Sequence, residues 1–389
     1  MKYHIWTIGC QYNEWDATRL DFLMQKMGFL ESKPTDADVI IILACAVRQT
    51  AVDRIFGQIK NWNFPRPTPH SSLPTILITG CVLEPDKKML AQKGVEFFES
   101  GDFDQLNTIL SSKLNLKLPL SSQKLKKISP NPQPSTPYSL LPIMSGCNNF
   151  CSYCAVPYTR GREKSRPMKE ILAEAKILIE QGCEEIILLG QNVNSYRMTF
   201  PTVIPQLMRD PEKVDSRLRG NDKGRSRKHN EKTDFTVLLE KLNELDGDFV
   251  VSFMSNHPKD MTDDIIEAVA TLPKIKKEIH LPLQSGSDKI LREMNRPYTI
   301  QRYLGIVDNL KFKIQNLKLT TDVIVGFPGE SKEDFDKTVE IFKLVNFDAA
   351  YINKYSPRKG TKAFELGDPI LWSEKQRRWR LLNEIVNKK

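Results

Sequence analysis

The sequence has no run of about 18 consecutive apolar residues, the length that a membrane-spanning helix needs. Its start, Met-Lys-Tyr-His-Ile-Trp, lacks the apolar core of a secretory signal peptide. Its seven cysteines are an odd number, and most of them stand in short motifs, which indicates metal ligation rather than a disulfide framework. We therefore expect a cytoplasmic protein that divides its 389 residues between roughly two or three domains.

The net charge of +9 gives no direct evidence for nucleic-acid binding, because two stretches account for it. Residues 111–137 contain five lysines and no acidic residue, and residues 213–228 contain seven Lys or Arg against two Asp. The rest of the chain is therefore close to neutral. Basic stretches of this kind are usually solvated linkers.

Cys147, Cys151 and Cys154 stand in a C-x3-C-x2-C spacing, with Tyr153 before the last; we call them the barrel triplet. Soft thiolates this close together select zinc, copper(I) or an iron–sulfur cluster. A structural zinc site needs four closed ligands, whereas this stretch offers three and no nearby histidine. The spacing favours a four-iron cluster with one iron left for a ligand from outside the protein. A zinc knuckle or a chance group of buried cysteines is the alternative.

The N-terminal part alternates between apolar runs and helical patterns. Residues 4–9, 38–43 and 75–79 are short apolar runs typical of buried strands. Helical periodicity runs through residues 14–27, and a second helix is expected from about Thr50. This β-α-β-α-β order predicts an open parallel α/β domain.

Cys10, Cys45 and Cys81, which we call the sheet triplet, each follow one of these strands and lie 35 and 36 residues apart. Open α/β sheets bind ligands at the carboxyl ends of their strands. Adjacent parallel strands would bring the three thiols to one edge, so we predict a second three-thiolate cluster with an open iron. Three buried core cysteines are the alternative.

Residues 111–137, rich in Ser, Lys and Pro, are predicted to link a domain over 1–110 to a second over 138–389. Six strands alternating with helices indicate a partial (β/α)6 barrel, with the barrel triplet at its carboxyl mouth. The predicted strands are 140–144, 185–189, 249–254, 278–283, 319–325 and 349–355, and the predicted helices lie near 168–181, 235–245, 262–271, 299–313 and 331–345.

Residues 200–234 interrupt this rhythm and have no apolar periodicity, so we expect a disordered surface insert. The insert is either an RNA-binding arm or inert, and the tolerance of surface loops to insertion favours the second. A basic helix near 373–387 is expected at the end of the chain.

Both triplets stand in motifs that resemble those of the radical S-adenosylmethionine (SAM) methylthiotransferases. The N-terminal motifs are Thr7-Ile-Gly-Cys-Gln-Tyr-Asn-Glu-Trp-Asp, Ala44-Cys-Ala-Val-Arg and Thr79-Gly-Cys-Val-Leu-Glu. Further matches are Leu188-Leu-Gly-Gln-Asn-Val-Asn-Ser-Tyr, Ser255-Asn-His-Pro, His280-Leu-Pro-Leu-Gln-Ser-Gly-Ser, Thr321-Asp-Val-Ile-Val-Gly-Phe-Pro-Gly-Glu and Tyr355-Ser-Pro-Arg-Lys-Gly-Thr. The resemblance covers nearly the whole chain except 111–137 and 200–234.

The motifs beginning at Ala155, Gly190 and His257 resemble most the branch that methylthiolates carbon 2 of isopentenyl-adenosine beside the tRNA anticodon. Alternatives within the family are threonylcarbamoyl-adenosine in tRNA and a ribosomal protein; an alternative outside it is an inactive, cluster-bearing RNA-binding protein. The family's C-terminal TRAM β-barrel, which grips RNA, would begin where this chain stops at Lys389, so we expect it to be absent.

The resemblance implies two [4Fe-4S] clusters and SAM as cofactors. The cluster on the barrel triplet would reduce SAM, and the cluster on the sheet triplet would hold or donate the sulfur. The implied partners are the tRNA anticodon loop, an electron donor such as flavodoxin or ferredoxin, and a sulfur donor. We expect a monomer that does not bind membranes.

Five polar residues are candidates for binding SAM or the base: Gln191 and Asn192 just past the second predicted barrel strand, Gln284 and Ser285 at the end of the fourth, and Asp322 on the fifth.

Arg160, Arg162 and Arg166 follow the barrel triplet and are candidates to pair with the carboxylate of SAM or with RNA phosphates, Arg160 foremost. Surface salt bridges are the alternative for these arginines. Glu330 is expected either near the adenine or as a helix cap. Cys183 belongs to neither triplet and is predicted to be a core residue.

Overall fold

The computed structural model describes residues 1–46, 48–62, 73–115, 137–198 and 232–387. Most of the predicted linker and of the predicted insert therefore lies outside the described residues. Within the described ranges, the structure has no helix that combines the length and the apolar character needed to cross a membrane.

The N-terminal part is a five-stranded parallel sheet with helices on its faces. Its strands are β1 (Lys2–Thr7), β2 (Leu30–Glu31), β3 (Val39–Ala44), β4 (Thr75–Gly80) and β5 (Glu96–Phe97), in the order β2-β1-β3-β4-β5. Its helices are α1 (Gln11–Lys26), α2 (Gln49–Trp62), α3 (Glu84–Ala91) and α4 (Phe103–Leu114). The central strand β3 is buried along its whole length, as expected for a parallel strand covered on both faces. The predicted open parallel α/β architecture is confirmed.

Helix α4 continues as far as Leu114, beyond residue 110, where the sequence predicts the linker to begin. Leu106 and Leu110 are fully buried in the apolar core, and Leu114 packs against it. The helix ends at Asn115, which adopts a left-handed conformation with φ 53°. Apolar contacts thus extend the helix past the predicted boundary.

The second part is a six-stranded partial barrel. Its strands are β6 (Tyr138–Pro142), β9 (Glu185–Leu189), β10 (Val250–Phe253), β11 (Glu278–His280), β12 (Lys318–Val325) and β13 (Ala349–Lys354). The ladders run β10-β9-β6 and β11-β12-β13, all parallel, and a bridge between Val251 and Ile275 joins them. A small antiparallel hairpin, β7 (Met144–Ser145) with β8 (Lys164–Ser165), brackets the barrel triplet. The predicted partial (β/α)6 barrel is confirmed.

The barrel helices pack apolar faces against these strands, as their periodicity predicts. They are α5 (Val156–Thr159), α6 (Met168–Glu180), α7 (Asp234–Asn243), α8 (Asp263–Thr271), α9 (Asp288–Glu293), α10 (Ile300–Lys313), α11 (Lys332–Val345) and α12 (Trp372–Val386). Thr233, near the end of the predicted insert, is the N-cap of α7 and accepts the N–H of Thr236 at 3.2 Å. Cys183 is 2% exposed within the barrel core, which confirms its predicted place.

The C-terminal helix α12 is fastened to the barrel by a buried ion pair. Arg378 Nη1 lies 2.5 Å from Glu330 Oε2, and both side chains are almost fully buried. Glu330 also accepts the N–H of Gly326 at 2.6 Å. The cap of α11 is instead Ser331, in a capping box with Asp334. The helix-cap role expected for Glu330 is therefore wrong, and its place near the adenine stays a prediction.

Replacing Arg378 by methionine should destabilise the protein by about 3–5 kcal/mol, because Glu330 would keep its buried charge without the cation. Urea denaturation of the cluster-free protein measures this free energy. Arg377→Met is the matched control, since Arg377 pairs with Glu374 on the same helix but is 52% exposed. The control should lose less than about 1 kcal/mol. Equal losses in the two variants would contradict this account of how α12 is held.

Candidate metal centres and cofactor site

The sheet triplet lies at one edge of the N-terminal sheet, because β1, β3 and β4 are neighbours. Cys10, Cys45 and Cys81 each lie beyond the carboxyl end of one of these strands. The N–H of Cys81 donates to the carbonyl of Ala44 at 2.9 Å, which sets Cys81 beside Cys45. A Cβ added to Gly9 would lie 3.3 Å from Cys45 Sγ, so the backbone next to Cys10 approaches Cys45 closely. The three residues share one edge, and their role as ligands stays a prediction.

Asn13 ties these strand ends together. Its side chain is buried, and Nδ2 donates to the carbonyls of Ile8 at 2.7 Å and Ala44 at 2.9 Å. Its Oδ1 accepts from Arg160 Nη2 at 2.7 Å. Because the asparagine bonds to the ends of β1 and β3 together, it holds the edge that carries the thiols in one shape.

The barrel triplet lies on the loop between β7 and β8, and residues 293–296 pin that loop. Ser152 Oγ donates to the carbonyl of Glu293 at 2.8 Å. Asn295 Nδ2 donates to the carbonyl of Phe150 at 2.9 Å. The loop thus has fixed partners on the segment after α9.

Arg296 places a positive charge beside the barrel triplet. Its side chain is 7% exposed, and Nη1 donates toward Cys151 Sγ at 3.6 Å. Nη2 donates to the carbonyl of Pro282 at 3.2 Å and Nε to the hydroxyl of Tyr298 at 3.1 Å. A guanidinium held this firmly can balance the charge of a thiolate cluster.

Two of the three thiols, those of Cys147 and Cys154, need a metal to ionise near neutral pH. Burial, reinforced by Cys151, raises the pKa of Cys154 to about 12, and burial also raises the pKa of Cys147. Such thiols stay protonated at neutral pH until metal ligation displaces the proton. The donor set of the loop, three soft thiols balanced by Arg296, therefore fits a cluster that binds thiolates.

In the part of the chain that the structure describes, no three His, Cys, Asp or Glu side chains converge on a point where one metal ion could bind. A tetrahedral zinc site would need such a point. A four-iron cluster makes a different demand, because each thiolate binds a separate iron. Each triplet offers three thiols, the number that a four-iron cluster with one open iron takes.

Buried polar atoms without a partner line the mouth of the barrel beside the triplet. Among the described residues, they include Gln191 Oε1, Asn192 Oδ1, Asn256 Oδ1 and His257 Nε2. The first two residues follow β9, and the other two follow the adjacent strand β10. Because each such atom costs about 1–3 kcal/mol if left unpaired, the group fits a bound molecule with several polar groups. SAM, with ribose hydroxyls and an ammonium group, is such a molecule.

The remaining candidates lie on the other three-stranded ladder, where Gln284 and Ser285 follow β11 and Asp322 lies within β12. The backbone of Gln284 bonds to Asp322 O at 2.8 Å and to Ile324 N at 3.0 Å, which continues the β11–β12 pairing. Asp322 Oδ2 lies 3.2 Å from His280 Nε2. Ser285 is fully buried, and its hydroxyl accepts the N–H of Ser287 at 3.2 Å, so it stabilises the turn before α9.

Three residues at the mouth adopt the left-handed conformation without being glycine or asparagine. Phe150, Ser255 and Gln284 have φ of 47°, 65° and 64°. The other non-glycine residues with positive φ in the described ranges are all asparagines, which tolerate it better. Strained backbone concentrated on one rim is typical of a functional site.

Arg160, from the barrel side, reaches across to the sheet triplet. Its Nε donates to Cys81 Sγ at 3.2 Å, and its Nη2 lies 3.4 Å from Asp16 Oδ2. Its guanidinium lies 4.1 Å from the centre of the Tyr12 ring. The structure thus directs Arg160 to the sheet triplet, and a contact between Arg160 and SAM stays a prediction.

The two triplets are close neighbours. Ala155, next to Cys154, packs in one apolar cluster with Ala46, Cys81 and Leu83 of the N-terminal part. Farther from the thiols, Arg358 pairs with Asp86 at 2.6 Å and joins the same two parts. These contacts therefore fix the position of the sheet triplet relative to the barrel triplet.

Sequence reasoning missed five residues of the site: Asn13, Asp16, Asn256, His257 and Arg296. All but Arg296 stand in the motifs that carry the family resemblance, which is a signal that could have found them. Arg296 stands outside them and is identified by its buried guanidinium beside Cys151.

His257 should make stability depend on pH. Burial, aided by Arg296 and Lys259, lowers the pKa of His257 to about 2. The unfolded chain takes up this proton near pH 6.5, about where free histidine titrates, and the native state does not. The free energy of unfolding should therefore fall as pH drops below about 6.5, by up to about 1.4 kcal/mol per unit.

Urea denaturation of the cluster-free protein at pH 7.5 and 5.5 measures this slope. His257→Gln should show a smaller loss between the two values than the native sequence. Equal losses would mean that His257 takes up its proton in the folded protein.

Two family descriptions match this chain. "Radical SAM superfamily" covers residues 141–342, which include the barrel triplet. "Uncharacterized protein family UPF0004" covers residues 2–98, which include the sheet triplet. The first match spans more than half of the chain.

Curated relatives align along nearly all of it. A protein of Caldicellulosiruptor saccharolyticus, named tRNA-2-methylthio-N(6)-dimethylallyladenosine synthase, is 38% identical over 99% of this chain and 77% of its own length. Proteins of the same name from Clostridium botulinum and Thermoanaerobacter pseudethanolicus are each 37% identical, over 81% and 78% of their lengths.

Among solved structures, the radical SAM methyltransferase TsrM of Kitasatospora setae matches with a TM-score of 0.60 at 10% identity, over 93% of this chain and 77% of that one. The radical enzyme OxsB matches with a TM-score of 0.54 at 9% identity, over 98% and 56%. At these identities the likeness shows the fold alone.

The family matches confirm the resemblance to radical SAM methylthiotransferases that the motifs indicate. The cofactors of that family are SAM and [4Fe-4S] clusters. The orphaned polar atoms at the mouth and the two thiol triplets are the places where the described residues fit these groups. The chain therefore belongs to the radical SAM methylthiotransferase family.

Proposed function

We propose that this protein attaches a methylthio group to carbon 2 of isopentenyl-adenosine beside the anticodon of tRNA. The observation that carries the proposal is the closeness of the two triplets: of the residues that follow the barrel triplet in the chain, Arg160 donates to Cys81 of the sheet triplet and Ala155 packs in one apolar cluster with it. Breaking a C–H bond and placing sulfur on the same carbon requires both sites to reach one base. The dimethylallyladenosine in the names of the relatives supports the choice of base.

The chemistry needs a radical, because polar acid and base groups do not readily break the unactivated C–H bond at carbon 2 of adenine. When bound, SAM and the clusters supply the radical, the sulfur and the methyl group, and the protein supplies position. The hydrogen removed from carbon 2 would leave in 5′-deoxyadenosine, so the cleavage of SAM would be the oxidant for replacing the C–H bond by a bond to sulfide-level sulfur. An outside electron donor would supply the electron that starts this cleavage.

The chain's own residues would divide this work. The barrel triplet would hold one cluster, with Arg296 fixing the orientation of Cys151. Gln191, Asn192 and His257 would bind SAM through the atoms that lack partners in the described structure. Asn192 is already oriented, since its Nδ2 donates to Asp260 Oδ2 at 2.8 Å.

The sheet triplet, on the N-terminal part, would face the mouth of the barrel, where SAM and the barrel triplet lie. Arg160 would hold Cys81 in place, and the packing around Ala155 would keep water from the gap between the triplets. Asp322, whose side chain is 31% exposed, lies on the opposite rim, where an incoming base can reach it. An enzyme acting on a base atom must take the base out of its stack, and an anticodon loop offers such a base.

The setting expected from the sequence belongs to the same proposal. The protein would work as a monomer in the cytoplasm, with flavodoxin or ferredoxin as electron donor and a separate sulfur donor. Isopentenylated tRNA would be its substrate and methylthiolated tRNA its product.

The test uses anaerobically reconstituted protein with reductant, SAM, and tRNA with or without the isopentenyl group. Mass spectrometry reports the modified nucleoside and 5′-deoxyadenosine. Alanine at Cys147, Cys151 and Cys154 should abolish both products. Alanine at Cys10, Cys45 and Cys81 should abolish the methylthio product while 5′-deoxyadenosine still forms. Cys183→Ala, in the core, is the control and should retain both.

A methylthio product from either triple variant would overturn the division of labour. A product on threonylcarbamoyl-adenosine or on a ribosomal protein, but not on isopentenyl-adenosine, would overturn the substrate. If both clusters are filled and SAM is not cleaved, the protein is a cluster-bearing RNA-binding protein instead.

A further inference from the structure

A groove of about 670 Å³ lies at the junction between the N-terminal sheet and the barrel; we call it the junction groove. One wall is a face of α1, with Tyr12, Trp15 and Arg19. The opposite wall belongs to the barrel side and includes Tyr158 of α5 and Lys164 of β8. The groove thus runs alongside both triplets, on the side where Arg160 crosses.

Two hydrogen-bond donors in the groove have nothing to donate to within the described structure. Trp15 is 7% exposed, and its Nε1 is buried without a partner. Arg19 lies between the Trp15 ring at 4.5 Å and the Phe103 ring at 4.8 Å, and it makes no hydrogen bond or ion pair with a described residue. Donors left over in one cavity call for a ligand that is an acceptor.

The charge of the groove favours an anion. Burial lowers the pKa of Arg19, and the like charge of Arg166 lowers it further, against the opposite effect of Asp16 and Glu174. Both carboxylates already bond to other arginines, Asp16 to Arg160 and Glu174 to Arg166. A bound anion would relieve the repulsion between the two guanidinium groups.

Further cations and an aromatic face narrow the class of anion. Lys87 and Lys164 also line the groove, against Glu99. Tyr158, on the same rim, has 51% of its surface exposed. Cations interleaved with exposed aromatic rings are the pattern by which proteins hold single-stranded nucleic acid, with rings under the bases and cations on the backbone.

We propose that the junction groove binds a phosphate of the single-stranded RNA next to the target base, with Arg19 and Trp15 donating to it and Tyr158 stacking on a neighbouring base. The identity of the ligand as RNA rests on the proposed function; the need for an anion rests on the groove itself. The groove would hold the RNA while the base enters the barrel mouth.

The test is fluorescence anisotropy on the two-cluster protein with a labelled anticodon-loop hairpin RNA. Arg19→Gln should weaken binding about tenfold and reduce the slope of log Kd against log salt by about 0.7, the share of one single-strand phosphate. Trp15→Phe, which removes the N–H together with part of the indole ring, should weaken it severalfold. Lys241→Gln is the matched control, because Lys241 is an exposed cation on α7 that pairs with Glu244. It should leave binding unchanged.

Tyr158→Ala keeps the proposal testable if the α1 variants fold poorly, because its side chain is half exposed; it should weaken binding severalfold. Unchanged affinity and salt slope in folded Arg19→Gln, or unchanged affinity in Tyr158→Ala, would overturn the proposal. The proposal would also be overturned if inorganic phosphate stabilised the protein only when Arg19 is present, while the affinity for RNA did not depend on Arg19.

The two proposals fail separately. If RNA binding depends on Arg19 and Tyr158 but no methylthio product forms, the proposed reaction is wrong and the proposed role of the junction groove stands. If Arg19→Gln forms the methylthio product with an unchanged KM for RNA, the proposed role of the junction groove is wrong and the proposed reaction stands.

Discussion

Arg160→Met should separate the two triplets in function and weaken the junction by about 3–5 kcal/mol. The side chain bonds to Cys81, Asn13 and Asp16 at once. Burial disfavours its charge, but Cys81 and Asp16 outweigh that effect and hold the pKa of Arg160 above its usual value. Methionine would leave Asp16 buried, with Ser100 as its remaining hydrogen-bond partner among the described residues.

The reaction should respond in a specific way. The loop of the barrel triplet keeps its own partners, so 5′-deoxyadenosine should still form in Arg160→Met. The methylthio product should fall at least about tenfold, because the charge-assisted bond to Cys81 is lost. Iron content and the visible spectrum should show a loss at the sheet triplet alone.

Asp16→Asn in the Arg160→Met background supplies the control. Removing the stranded carboxylate should restore part of the lost free energy of unfolding, which a double-mutant cycle in urea quantifies. Arg296→Met is the counterpart at the other site, and there SAM cleavage should be the activity that suffers. If Arg160→Met reduced SAM cleavage more than methylthio transfer, Arg160 would serve the barrel triplet and not the sheet triplet.

The strands could be predicted because their chemistry is local. The apolar run at Glu185–Leu189 was enough to fix β9, and β3 and β12 differ from their predicted bounds by a residue. The two-residue strands β2 and β5 were missed, since such short edge strands have no period to detect. Strand β11 ends earlier than its apolar run, because Pro282 has no N–H for the ladder and the N–H of Leu283 donates to the Thr321 hydroxyl at 2.9 Å.

In the candidate site, too, the features set by local sequence could be predicted and those set by distant residues could not. Spacing and motif placed the sheet triplet at strand ends, and β1, β3 and β4 are indeed adjacent. The arginines beside the thiols could not be assigned, because Arg160 is 79 residues from Cys81 and Arg296 is 145 residues from Cys151. A partner that distant is chosen by the packing of the whole barrel, which no local pattern records.

Gly146→Ala should remove the cluster of the barrel triplet and reduce SAM cleavage by about a hundredfold or more. Gly146 has φ 74°, and a Cβ there would lie 2.2 Å from the carbonyl oxygen of Arg162. That oxygen belongs to the backbone just before β8, and Cys147 donates its N–H to the neighbouring carbonyl of Gly161 at 3.2 Å. Relief of the clash must therefore push apart the β7–β8 hairpin, which fixes the distance between Cys147 and the other thiols.

Gly182→Ala separates this clash from backbone strain, because Gly182 has φ 83° and open space within 4 Å of an added Cβ. The control should lose only the left-handed penalty of about 1–2 kcal/mol and keep its iron. Iron per protein and 5′-deoxyadenosine yield measure both variants. Full iron and full SAM cleavage in Gly146→Ala would mean that the hairpin can open without moving Cys147, and that the segment 293–296 alone positions the loop.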